Sequence, residues 1–186
     1  MSLEKYKKKR DFKITSEPPP KVQKSKSKRI FVIQEHHATR LHWDFRLEAE
    51  GVLKSWAVTN EPTLDPAIKR LAIPTEDHPF EYAKFHGTIP KGQYGGGKVS
   101  IWDKGTYEMA YDTDSIDKEV VNGIAKGKLS IILHGKKLKG EYALVRMRGG
   151  KYEGNWLMIK ANDEFAKSNG ASTSKTAAAK KVSRKK

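Results

Sequence analysis

The chain has no cysteine. That absence excludes disulfides, thiolate-bound zinc and thiol nucleophiles, so any metal must be held by histidine, carboxylate and water. No run of about eighteen apolar residues occurs, and the opening MSLEKYKKKR lacks the apolar stretch of a secretory signal. A cytoplasmic location is therefore expected. The glycine-rich IPKGQYGGGK of residues 89–98 lacks the Gly-x4-Gly-Lys-[Ser/Thr] pattern of a phosphate loop and reads as a flexible connector between strands. At 186 residues with 37% hydrophobic content, the chain can bury one core.

What is abundant is positive charge, and it is unevenly placed. Residues 1–30 carry eleven Lys/Arg against three acids, and 167–186 carry seven with no acid. The remaining 31–166 holds 19 of each sign, so the +15 net charge resides in the extensions. Basic extensions can serve solubility alone, but they also attract phosphate backbones in a salt-dependent way. Lys21–Arg29, after Pro18-Pro19-Pro20, reads as a mobile linker. The stretch from Lys167 shows no apolar periodicity. The expected organisation is a basic, partly disordered segment over 1–29, one domain over 30–166 and a disordered basic tail over 167–186.

Between the extensions, short strands with turn punctuation dominate. They are expected near 30–35, 41–49, 52–58, 69–74, 98–103, 106–111, 128–134, 138–147 and 155–161. KVSIWDKGTYEMA, with its Lys-Gly pair, reads as a hairpin. A helix is expected over 115–126, capped by Asp114 or Ser115 and closed by Gly127. Many sequential strands and few helices predict a mainly β fold, a closed or nearly closed antiparallel β-barrel with one or two short helices.

The stretch QEHHATRLHWDFRLE, residues 34–48, holds three of the six histidines with one aspartate and two arginines. From Leu41 it alternates strictly, with Leu41, Trp43, Phe45 and Leu47 on one face and His42, Asp44, Arg46 and Glu48 on the other. Two potential metal ligands lie beside a guanidinium fork suited to phosphate. His36 precedes a turn that can fold it toward the same face, and spacing alone does not choose between His36 and His42. A second cluster, Glu76-Asp77-His78 before Pro79, offers a further ligand. A His/His/Asp set without thiolate suits Mn, Fe or Zn and leaves positions open for water and substrate, so metal-assisted hydrolysis of a phosphate ester is the indicated chemistry. His37, His86 and His134 read as surface positions, and Trp56, Trp102 and Trp156 as core.

Four stretches together carry a family resemblance. FVIQEHHATRLHWDFRLEAEGVLKSWAV, then DPAIKRLAIPTEDHPFEYAKFHGTIPKGQYGGGKVSIWDKGTYE, and later KLKGEYALVRM and NWLMIKANDEFA, resemble the 3′-phosphoesterase domain of bacterial ATP-dependent DNA ligase D. RDFKITSEP resembles that family's N-terminal segment, so the likeness runs from residue 10 to about 166. It implies a compact antiparallel β-barrel with a polar active-site groove and manganese-dependent activity on the 3′ ends of DNA or DNA-RNA primer-templates. A terminal ribonucleoside is removed first, and the 3′-phosphate after it.

Carried over motif by motif, the resemblance makes His36, Asp44 and His78 the metal ligands. His42 becomes stabiliser or proton donor to the phosphate, with Arg46 and Tyr82 also contacting it. Gln34, Arg70 and Glu76 fall on supporting positions. Arg10, Asp11 and Glu17 fall on positions tied to ribonucleoside removal. One departure stands out: after Trp56-Ala57-Val58 the family reads Pro-Lys, whereas Thr59-Asn60 follows here, removing a fixed positive charge that Lys54 or Lys69 could replace only by reaching the groove. A monomer is expected, and a separate ligase partner is implied only by family analogy. The rival readings are a non-catalytic DNA-end binding module with a structural metal and a broad phosphomonoesterase.

Overall fold

The computed structural model describes residues 3–23 and 29–168. The linker reading over 24–28 and the tail reading over 169–186 lie outside the described residues.

Eight antiparallel strands close on themselves. In ring order they are β1 (Arg29–His37), β2 (Leu41–Ala49), β3 (Val52–Val58), β4 (Lys69–Pro74), β10 (Trp156–Lys160), β9 (Lys139–Arg146), β8 (Lys128–His134) and β7 (Gly97–Met109), with β7 pairing back onto β1. Two short strands lie off the ring: β5 (His78–Pro79) pairs with β3, and β6 (Gly87–Ile89) with β7. Closure removes the exposed edges that an open sheet would present. Among the described residues there are two short α-helices, α1 (Glu4–Lys8) and α2 (Ile116–Lys126), and a 3-10 turn over Phe80–Lys84. No described helix is long and apolar enough to cross a membrane.

Strand parity separates core from site. Phe31 and Ile33 of β1, Trp43, Phe45 and Leu47 of β2, and Trp56 and Val58 of β3 belong to one buried cluster with Leu129, Ile131, Leu133, Leu144 and Met158. These side chains fill the barrel. The alternate residues project outward, because neighbours along a strand face opposite sides. On that outer face the register sets His36 opposite His42, Gln34 opposite Asp44, Arg46 opposite Ser55 and Leu53 opposite His78.

The outer face is not open to solvent here. A second cluster, Leu3, Tyr6, Val32, Val52, Leu53, Tyr82 and Ala83, seals it. Residues 3–23, expected to belong to a partly disordered basic segment, instead carry α1 and place Tyr6 in this layer with no exposed surface. The Tyr6 hydroxyl donates to the Pro18 carbonyl at 2.7 Å, folding the segment on itself.

The expected helix is present. Ser115 caps it by accepting from the Lys118 N–H, and Gly127 ends it at φ 85°, a left-handed conformation that glycine adopts without steric cost. The expected hairpin at Lys104-Gly105 is absent. β7 runs straight through both residues as a thirteen-residue strand. Gly105 answers to packing rather than turning: a Cβ there would lie 2.0 Å from the His134 carbonyl oxygen. Beside it, at the β8–β9 turn over 135–138, the Asp103 carboxylate accepts the backbone N–H groups of Lys136, Lys137 and Leu138. A lysine-glycine pair lacks the Asn or Asp that favours a two-residue hairpin turn, and the strand pattern on both sides of it belonged to one strand.

Candidate metal-phosphate site

β1, β2, the turn before β5 and the N-terminal segment meet around a cavity of about 290 Å³. Its lining includes Arg10, His36, His42, Asp44, Arg46, Glu76, His78, Tyr82 and Tyr94.

Arg46 anchors the floor. It is 2% exposed, and its guanidinium donates to Gln34 Oε1 at 2.7 Å, Ser55 Oγ at 3.0 Å and Asp44 Oδ2 at 3.1 Å. Gln34 in turn donates to the Tyr82 and Phe85 carbonyls, tying the strand to the 3-10 turn and fixing Tyr82 over Arg46, whose guanidinium carbon lies 4.7 Å from the ring centroid. Burial works against the Asp44 carboxylate, yet the Arg46 guanidinium beside it holds its carboxyl well below the usual carboxylate range. Burial of the Tyr82 hydroxyl pushes its pKa well up, and it donates to Glu17 Oε1 at 2.9 Å.

The three histidines share one arrangement. His36 Nε2 lies 2.8 Å from the Gly95 carbonyl, His42 Nδ1 lies 2.9 Å from the Arg40 carbonyl, and His78 Nδ1 lies 2.8 Å from the Glu76 carbonyl. A carbonyl only accepts, so each of these nitrogens carries a proton, and in the neutral ring the other nitrogen is the one that offers a lone pair. Metal-binding histidines are oriented in this way. His36 Nδ1 faces Asp44 Oδ2 at 3.3 Å, and His42 Nε2 lies 3.7 Å from Asp44 Oδ1. Two acceptors facing at 3.3 Å repel unless a proton or a cation lies between them. That separation also fits two ligand atoms each about 2.1 Å from one ion. Donor atoms of His36, His42 and Asp44 all lie within 4.8 Å of one another, so this group could hold a metal ion.

His78 lies apart from that group. Its Nε2 meets an Arg10 N–H at 3.3 Å, and its ring packs edge-on against Tyr6 and Tyr82. Burial, with Arg46 and Arg10 nearby, lowers its pKa well below the usual value and keeps the imidazole neutral.

The N-terminal segment completes the cavity through charge. Arg10 donates to Glu17 Oε1 at 2.8 Å and to Glu76 Oε1 at 2.9 Å, while Lys9 Nζ lies 2.9 Å from Glu76 Oε2. Burial would raise the Glu76 pKa, but hydrogen bonds from Lys9 and Arg10 lower it. Three buried carboxylates, Asp44, Glu17 and Glu76, are thus matched by Arg46, Arg10 and Lys9.

Not every residue singled out in the sequence comes to the cavity. Asp11 is exposed and accepts from the Lys13 N–H in its own turn. Arg70, on β4, donates to the Glu61 carbonyl at 2.7 Å and is absent from the lining. Asn60 is exposed, Lys54 is ion-paired with Asp77 at 2.7 Å, and Lys69 is exposed; none of the three lines the cavity. His37, His86 and His134 are exposed, as expected, and Trp56 and Trp156 lie in the core, with Trp102 packed against it. Sequence reasoning missed Lys9 and Tyr94. Lys9 is hidden in a charge run, and Tyr94 in a loop whose glycines invited a reading as mere connector.

Comparison with known proteins bears on this geometry. The profile of the family described as "DNA Ligase D 3'-phosphoesterase domain" matches residues 34–146. The multifunctional non-homologous end joining protein LigD of Pseudomonas aeruginosa is 44% identical over 168 residues, covering 89% of this chain and 19% of its own. The protein of the same name from Mycolicibacterium smegmatis is 45% identical over 161 residues, covering 86% of this chain and 20% of its own. The multifunctional non-homologous end joining DNA repair protein LigD of Mycobacterium tuberculosis is 46% identical over 153 residues, covering 81% and 19%. The chain spans about a fifth of the length of these relatives.

Proposed function

This chain belongs to the DNA ligase D 3′-phosphoesterase family, and from that premise we propose that it processes the 3′ ends of DNA with the help of manganese. It removes a 3′-terminal ribonucleoside and then the 3′-phosphate, leaving a hydroxyl for repair and ligation. The observation that carries this reading is the set of oriented imidazole lone pairs around Asp44 with Arg46 buried beside them. A structural metal would need no such guanidinium. A bound divalent ion would supply Lewis-acid stabilisation of phosphate charge and activation of water.

The residues divide the work as follows. His36 and Asp44 hold the ion. The family motif assigns the third ligand to His78 and leaves His42 facing the phosphate as proton donor. The close grouping of His42 with His36 and Asp44 favours a second reading in which His42 closes the set. In either case Arg46 offsets charge on the phosphate oxygens, its orientation fixed in advance by Gln34, Ser55 and Asp44. Tyr82 and Glu76 hold the walls of the cavity. Arg10 and Glu17 order the segment that grips a sugar carrying a 2′-hydroxyl; the family motif adds Asp11 to that step and Arg70 to the support of the site. The proposal extends to a monomeric, cytoplasmic protein acting on primer-template ends ahead of ligation, and to the domain division at residues 30 and 166.

The direct test is manganese-dependent digestion of a primer-template ending in one ribonucleotide, with products resolved by end group. A 3′-phosphate intermediate that gives way to a 3′-hydroxyl is expected. An unchanged primer strand across divalent ions sinks the reading. The basic extension gives a second test. Deleting residues 169–186 removes six Lys/Arg, so DNA affinity should weaken and the slope of log affinity against log salt should flatten by up to about 5. Turnover at saturating substrate should hold. An unchanged salt slope places the extension outside the DNA footprint.

A further inference from the structure

Tyr94 has no part in the chemistry above, yet it lies at its edge. Of the exposed tyrosines 94, 111 and 152, only Tyr94 lines the cavity with His36, His42, Asp44 and Arg46. It is 47% exposed. Its place in the loop is set by consecutive turns, Gln93 N–H to the Pro90 carbonyl at 3.1 Å and Gly96 N–H to the Gln93 carbonyl at 2.9 Å. The next residue, Gly95, supplies the carbonyl that orients His36. Tyr94 therefore stands one residue from the carbonyl that orients His36, at the wall of the cavity. Lys9 Nζ donates to the Tyr94 hydroxyl at 3.0 Å and lies 4.3 Å from the ring centroid, and the Arg10 guanidinium carbon lies 5.5 Å from it.

We propose that Tyr94 is the platform on which the nucleobase at the 3′ end stacks while its phosphate enters the cavity. The inference rests on the phosphoesterase reading and adds to it the group that grips the nucleoside. Two observations point to a base rather than an aliphatic or peptide ligand. Lys9, its side chain 39% exposed with the ammonium beside the ring, suits a ligand that brings phosphate with it. The ring is flat and half-exposed, and stacking uses the π-face that every base shares, so the grip is indifferent to base identity. That indifference suits an enzyme acting on ends of arbitrary sequence.

The test compares two primer-templates carrying a 3′-phosphate, one with an ordinary terminal nucleoside and one whose terminal sugar lacks a base. Dissociation constants from fluorescence anisotropy and KM for phosphate release are measured for the wild type, Tyr94→Ala, Tyr94→Leu and Tyr94→Phe. On the ordinary end, Tyr94→Ala and Tyr94→Leu should weaken binding and raise KM by roughly 5- to 100-fold, the range for stacking one base on an aromatic ring. Tyr94→Phe should stay near wild type, because the ring is kept and only the bond from Lys9 is lost. On the baseless end all four proteins should bind alike. Unchanged affinity of Tyr94→Ala for the ordinary end overturns the proposal, as does an equal loss on both ends. Binding that follows this pattern without any phosphate release upholds the platform and overturns the phosphoesterase reading, so the two fail separately.

Discussion

Replacing Asp44 with Asn is expected to abolish release of phosphate from a 3′-phosphorylated strand while leaving the barrel folded. Asparagine keeps the shape of the side chain and can still accept from the Arg46 N–H that Asp44 now receives at 3.1 Å. It lacks the charge that a divalent ion needs. The loss should exceed the ~10- to 100-fold that removing an outer-shell partner of a metal ligand costs. Alanine would confound the result. It would leave Arg46, 2% exposed, without its carboxylate, and breaking a buried pair from one side costs about 3–5 kcal/mol. Calorimetric titration with manganese, phosphate release and thermal melting measure the three quantities on one preparation. His42→Ala and His78→Ala in the same series settle the third ligand: the variant that loses ion affinity held the metal, and the one that keeps affinity but loses turnover faced the phosphate. Near-normal turnover in a folded Asp44→Asn protein would sink the assignment.

The second large effect is expected at Arg10. Its side chain is 4% exposed between Glu17 and Glu76, themselves 0% and 2% exposed. Arg10→Ala should strip two buried carboxylates of a shared partner and cost about 3–5 kcal/mol, which lowers the melting temperature by on the order of 10 °C for a chain of this size. Arg10→Lys separates stability from function. Lysine restores the charge but cannot bridge both carboxylates as a planar fork does. Misplacing the segment over the cavity should slow removal of a terminal ribonucleoside by on the order of 10²-fold, and release of an existing 3′-phosphate far less. Rates on the two substrates at one manganese concentration check this. Equal losses would make Arg10 a general brace of the site, and preferential loss of phosphate release would overturn its assignment to the sugar. Truncating the whole segment is a poorer experiment, since it also strips Leu3 and Tyr6 from the second apolar cluster.

Local signals made part of this legible. The alternation from Leu41 to Glu48 separates core from site because strand parity is a purely local property, and Ser115 and Gly127 mark the ends of α2 because capping is local too. What stayed hidden depends on distant partners. The pairing of β1 with β7 that closes the barrel joins residues some seventy positions apart, and β5 is two residues long. α1 is five residues in a lysine run, too short for its buried Tyr6 to show as periodicity. At the site, residue choice on β2 indicated His42, Asp44 and Arg46. The pairing of Arg10 with Glu17 and Glu76 has no local signature and was reachable only through family resemblance. Gly105 misled because the same residue serves turns and close backbone approach.

The parity of β2 also constrains how this chain can change over generations. Residues that fill the barrel and residues that build the cavity alternate along one nine-residue strand. A single substitution alters one face only, the barrel filling or the cavity wall. Inserting or deleting one residue exchanges the two sets, sending Asp44 and Arg46 toward the apolar interior and Phe45 toward the cavity. Descent of this strand can therefore exchange residues within either set but is closed to any change in its length.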